Sequence, residues 1–119
     1  DIIVIQIGAN DIIRLTKLSD VDSELQKLLE KTKSLSNKVV ILHSGDIGES
    51  RFFPLYVRPL LSMRTKSVRD IYIKNTEAFG ASYVDLMNVE LPQESYATDK
   101  LHLSDGGYGI WFDEIMKKI

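Results

Sequence analysis

The chain has 119 residues, with 15 Lys and Arg against 17 Asp and Glu, a net charge of −2, 44% hydrophobic residues and no cysteine. That length suits one domain with a real core, and the near-neutral charge gives no footprint for nucleic acid or an anionic membrane. The lack of cysteine excludes disulfides, thiolate metal sites and a cysteine nucleophile, while the compartment stays open.

No apolar run approaches the ~18 residues of a membrane span, so stable membrane insertion is not expected. The chain opens on Asp1 and runs directly into Ile2-Ile3-Val4-Ile5, without Met and without a basic, cleavable leader. It reads as a single domain over residues 1–119, cut at its N-terminal side.

Ile2 to Ile7 is a nearly continuous β-branched run, the pattern of a strand covered on both faces in a parallel sheet. It ends in Gly8-Ala9-Asn10-Asp11, residues that favour a sharp turn. With Ser19 or Asp20 as cap, Val21, Leu25, Leu28, Leu29 and Thr32 follow one helical face. Lys38 to Leu42 predicts a second buried strand, leading into the loop His43-Ser44-Gly45-Asp46-Ile47-Gly48.

Glu49 to Leu61 carries Phe52, Phe53, Pro54, Tyr56 and Pro59 and reads as an ordered aromatic loop. A helix is expected from Ser62 to Phe79, closed by Gly80, then a strand over Ser82 to Leu86. Met87 to Thr98 wander through Pro92 to Asp99-Lys100-Leu101-His102, and a last helix starts at Ser104 or Asp105 despite Gly106 and Gly107. Its stripe Tyr108, Trp111, Phe112, Ile115 and Ile119 is expected to be core.

The order β-α-β-loop-α-β-α predicts an α/β fold: a parallel sheet between helices on both faces, with a ligand site beyond the carboxyl ends of the strands. Three strands make it narrow. The Gly8, His43 and Asp99–His102 loops all fall at that edge. A carboxylate three residues before an imidazole can bind Nδ1–H, fix the tautomer and leave Nε2 as a base.

Gly8-Ala9-Asn10-Asp11 after a hydrophobic strand resembles the G-x-N-D block of the SGNH (GDSL-type) hydrolases, and Asp99 to His102 before the last helix resembles their D-x-x-H block. The two stand in the right order on the right elements, and Val39 to Leu55 and Tyr83-Val84-Asp85 are also similar to this family, so the resemblance covers essentially the whole chain. It implies the three-layer, flavodoxin-like fold of that family, here its last three strands, and a Ser-His-Asp esterase or lipase, or a carbohydrate deacetylase, acting on a small ester. His102 would be the general base, Asp99 its orienting partner and Asn10 the oxyanion donor. Gly8 would let the loop approach the substrate closely, and Asp11 would hold that loop through backbone N–H groups. No cofactor or metal is implied.

The family's G-D-S block, with its nucleophilic serine, is absent. Ser44-Gly45-Asp46-Ile47 is the nearest look-alike and follows the wrong strand, so the chain alone is expected to be inactive. A His43 and His102 metal site lacks a third ligand of suggestive spacing. The edge of Ile2 to Ile7, unpaired on this reading, predicts self-association or pairing with another chain. The rival reading is a non-enzymatic flavodoxin-like module that binds a ligand or a protein at its strand ends.

Overall fold

The computed structural model describes residues 1–119. Strands β1 (Ile2–Gln6), β2 (Lys38–Leu42) and β3 (Ser82–Tyr83) form one sheet in the order β1-β2-β3. Both pairings are parallel, with Val4 opposite Val40 and Ile41 opposite Tyr83. The helices are α1 (Ala9–Ile13), α2 (Leu18–Leu35), α3 (Arg58–Phe79) and α4 (Asp105–Met116).

The strand β2 is the centre of the domain because its alternating side chains enter two different cores. Val39 and Ile41 pack with Ile12 of α1, Val21, Leu25 and Leu29 of α2, and Val68 and Tyr72 of α3. Val40 and Leu42 pack on the opposite face with Val84, Leu86, Leu103 and Trp111 of α4. The result is three layers, and the C-terminal ends of β1 and β2 open on one edge.

The first strand departs from its expected coverage. Ile3 and Ile5 pack against the α2 and α3 side, but Ile2 and Val4 are 43% and 44% exposed on the other. The physical reason is that β1 is an edge strand and, on the α4 side, only Trp111 of α4 is buried against the sheet. For the same reason the expected core stripe of α4 is core only in part: Tyr108, Phe112 and Ile119 are 48%, 59% and 42% exposed.

Boundaries shifted wherever a local signal had two meanings. Proline in the first turn of α3 is tolerated because the N–H it lacks would have no helical partner there, so that helix begins at Arg58 rather than Ser62. Ser19 and Asp20 sit inside the first turn of α2, whose N-cap is Lys17, and Asp20 there complements the helix dipole. The third strand is only two residues long because Asp85 turns back to accept the Met87 N–H and starts a 3-10 turn. Gly80 closes α3 in the left-handed conformation with the Ala81 N–H on the Thr76 carbonyl, and Ser104 caps α4, both as the sequence predicts.

Candidate active site

Asp99 and His102 sit on a short hairpin closed by the Ala97 N–H on the His102 carbonyl at 2.8 Å and by an antiparallel bridge between Tyr96 and Leu103. Lys100 takes φ +62 to make the turn. This geometry aims Asp99 at its neighbour: Oδ2 lies 2.6 Å from His102 Nδ1, while Oδ1 accepts the N–H of Leu101 and of His102, each at 2.9 Å. The hydrogen bond from His102, then the two backbone donors, lower the Asp99 pKa to about 2. With Nδ1 engaged, Nε2 is the free ring nitrogen.

The hairpin is fixed to α4. Ser104 donates its hydroxyl to the Glu94 carbonyl at 2.9 Å and caps α4 by accepting the Gly107 N–H. A Cβ on Gly107 would stand 2.2 Å from the Ser95 carbonyl oxygen, so this glycine lets α4 approach the hairpin backbone. The helix-weakening glycine of the sequence is thus a close-packing residue.

On the facing wall, Gly8 adopts φ +106 and turns β1 directly into α1, so the Gly8 to Asp11 segment is a turn continued as a helix. Asn10 lines a cleft of about 200 Å³ with His102, Ser44, Tyr108 and Trp111. The Asn10 amide makes no hydrogen bond within the chain, which leaves both its N–H donors for a ligand. Asp11 faces away from this cleft and accepts the Thr16 hydroxyl at 2.8 Å, so it holds its loop through a side chain rather than through backbone N–H groups. The space that Gly8 leaves is taken up by the protein itself: a Cβ there would meet the Tyr72 hydroxyl at 2.8 Å and His43 Cβ at 3.1 Å.

His43 is buried at the end of β2, with Nε2 and the Tyr83 hydroxyl 2.7 Å apart and Nδ1 3.3 Å from Ser44 Oγ. Burial holds its pKa down to about 4, and burial likewise pushes the Tyr72 and Tyr83 phenols up. Ser44 is itself buried, its hydroxyl meets only His43, and no hydrogen bond joins it to His102. The His43 and His102 imidazoles therefore have separate partners, and no group of three His, Asp or Glu side chains is gathered anywhere in the chain.

Two parts of the site escaped the sequence. Trp111, read as core, also lines the cleft, and its buried indole N–H has no partner. The His43 and Tyr83 pair was visible only through register: Tyr83 lies opposite Ile41, and His43, two residues further on, points to the same sheet face.

The site thus sets an Asp-x-x-His pair and an asparagine amide at the strand ends of a three-layer α/β domain. The chain belongs to the GDSL-like lipase/acylhydrolase family, whose sequence profile matches residues 1–110. Its fold is similar to that of the acetylxylan esterase Axe2 from Geobacillus stearothermophilus, at 22% identity and a TM-score of 0.68. The Axe2-W215I form of that acetyl xylan esterase gives 21% and 0.67. In both cases 99% of this chain is covered, and it spans only 58% and 59% of the length of those chains, respectively. No curated protein matched the chain.

Proposed function

We propose that the chain carries the base half of an acyl-ester hydrolase. His102 removes the proton from a serine hydroxyl and returns it to the leaving alcohol, Asp99 fixes the imidazole and stabilises its protonated form, and the Asn10 amide donates to the oxyanion. The observation that carries this reading is the 2.6 Å contact of Asp99 Oδ2 with His102 Nδ1, with His102 lining the same cleft as the Asn10 amide. The serine is supplied from outside these residues, and the isolated chain does not turn over esters. The occupied Ser44 hydroxyl and the partial span of the Axe2 chains support this.

The experiment is hydrolysis of p-nitrophenyl acetate by residues 1–119 joined to the segment that supplies the serine. Asn10→Ala there is expected to lower kcat by roughly 10²–10³. Unchanged kcat would remove Asn10 from the oxyanion hole.

The same reading gives β1 a partner. Ile2 and Val4 are half-exposed on a strand paired along one side only. Such an apolar edge binds another strand. The isolated chain therefore self-associates, and Val4→Lys returns it to a monomer in sedimentation velocity; a wild-type monomer at all concentrations would contradict this.

A further inference from the structure

The whole-chain charge conceals a local one. Residues 50–69 hold five Arg or Lys and no Asp or Glu, whereas the remaining 99 residues carry ten basic against seventeen acidic side chains. The same stretch displays Phe52, Leu55, Tyr56, Leu60 and Met63, which are 54%, 76%, 84%, 52% and 70% exposed. Leu55 and Tyr56 are the two most exposed large apolar side chains in the molecule. Leu60 and Met63, three residues apart, share a face of the first turns of α3, and Tyr56 lies in the turn that leads into it.

This exposure is built, not a product of loose chain. Arg58 Nε donates to the Phe53 carbonyl at 3.0 Å, the Val57 N–H to the Pro54 carbonyl at 3.1 Å, and the Phe52 N–H to Ser50 Oγ at 3.2 Å. Phe52 and Phe53 meet edge to face at 5.0 Å. The basic groups are differently employed. Arg69 is held by Asp85, while Arg51 and Lys66 are exposed and pair with no carboxylate.

The platform is tied to the candidate active site. Ser50 lines the cleft and donates its hydroxyl to the Lys100 carbonyl at 2.7 Å, which joins the aromatic loop to the Asp99–His102 hairpin. Lys100, also exposed and unpaired, thus adds a cation where the two loops meet.

We propose that this stretch is a docking surface for an anionic phospholipid bilayer: Phe52, Leu55, Tyr56, Leu60 and Met63 enter the headgroup layer, and Arg51, Lys66 and Lys100 pair with lipid phosphates. Protruding aromatic and aliphatic side chains flanked by cations are what binding to a bilayer surface needs, and nothing in the fold inserts further, since no helix is long and apolar enough to cross a membrane. An anionic bilayer takes up both features, its phosphates the unpaired cations and its headgroup layer the protruding side chains, and a second copy, whose acid-rich remainder meets the same cations, is an outcome of the test. On the hydrolase reading, docking would turn the cleft mouth towards esters held in the membrane; the docking itself is measured without turnover, so either reading can fail alone.

The test is flotation of the 119-residue chain with phosphatidylcholine vesicles, with and without phosphatidylglycerol. Binding is expected on the phosphatidylglycerol vesicles, at least tenfold above phosphatidylcholine alone, and weakened by salt. Arg51→Gln with Lys66→Gln should lower partitioning roughly twenty-fivefold, about fivefold for each cation. Leu55→Ser with Tyr56→Ser, both at exposed positions, should abolish it, while Phe112→Ser on the other apolar face leaves it unchanged. No partitioning, equal partitioning on both vesicles, or loss with Phe112→Ser alone would overturn the proposal. So would self-association abolished by Leu55→Ser and Tyr56→Ser, which would assign the surface to a second copy.

Discussion

Asp99 Oδ2 stands 2.6 Å from His102 Nδ1 while its other oxygen collects two backbone N–H groups, so one carboxylate both shapes the hairpin and orients the imidazole. The two duties are separable. In the serine-supplied protein, Asp99→Asn keeps an oxygen for the backbone donors but removes the charge that stabilises imidazolium, and kcat should fall by about 10³–10⁴ with little change in fold. A fall below tenfold would reduce Asp99 to a turn residue.

The sign of the pH effect on Asp99 follows from its lowered pKa. The contact with His102 favours the ionised form, so what it contributes is complete above the unfolded-state value and lost as pH falls through about 2. In a carboxyl-carbon NMR titration, Asp99 should stay ionised to near pH 2, and His102→Ala should raise its midpoint. An ordinary midpoint in the wild type would contradict the contact.

His43 predicts a different window. Its folded pKa of about 4 lies below the ordinary imidazole value of 6.5, so the unfolded chain binds more protons between these values and stability falls as pH drops through them. The full loss is about 3 kcal/mol, most of it reached by pH 4 and the rest below it. Urea unfolding between pH 7.5 and 4 checks this: His43→Phe should flatten that part of the profile, and an unchanged profile would mean that another group titrates.

How much of this could be read from the chain depends on how far each signal reaches. The buried run Val39 to Leu42 and the Gly80 and Ser104 caps are local, and the structure places them as the sequence predicts. Asp99 and His102 are as local and their side chains meet, whereas Gly8 to Asp11 continues as a helix. The coverage of Ile2, Val4, Tyr108 and Phe112 was misjudged because periodicity shows a face is apolar without showing what lies over it. Pro59 looked like a breaker because the same residue both ends and begins helices. The platform at Arg51 to Met63 was hidden by a charge averaged over the whole chain.

The glycines of α4 offer a paired stability test. Ala at Gly109 meets nothing within 4 Å and should stabilise the helix by roughly 0.5–1 kcal/mol. At Gly107 the added carbon would collide with the Ser95 backbone, so Gly107→Ala should destabilise by about 1–3 kcal/mol and disturb the hairpin that carries His102. Thermal unfolding of both variants decides it; equal shifts would mean that α4 does not bear on the hairpin.

Gly8→Ala combines a φ of +106 with a contact at the Tyr72 hydroxyl, and should cost about 1–3 kcal/mol. Adding Tyr72→Phe removes that oxygen and should recover part of the loss, the backbone strain remaining. Simple additivity in this double-mutant cycle would show that the two residues do not touch.

We propose His102 as the base of an ester hydrolase whose serine is not Ser44. This assignment is tested most directly by the kcat/KM of p-nitrophenyl acetate hydrolysis with residues 1–119 joined to the serine-bearing segment. His102→Ala should reduce it by about 10⁴-fold or more while Ser44→Ala leaves it within a few fold. Equal activity of wild type and His102→Ala, or loss with Ser44→Ala alone, would contradict the account.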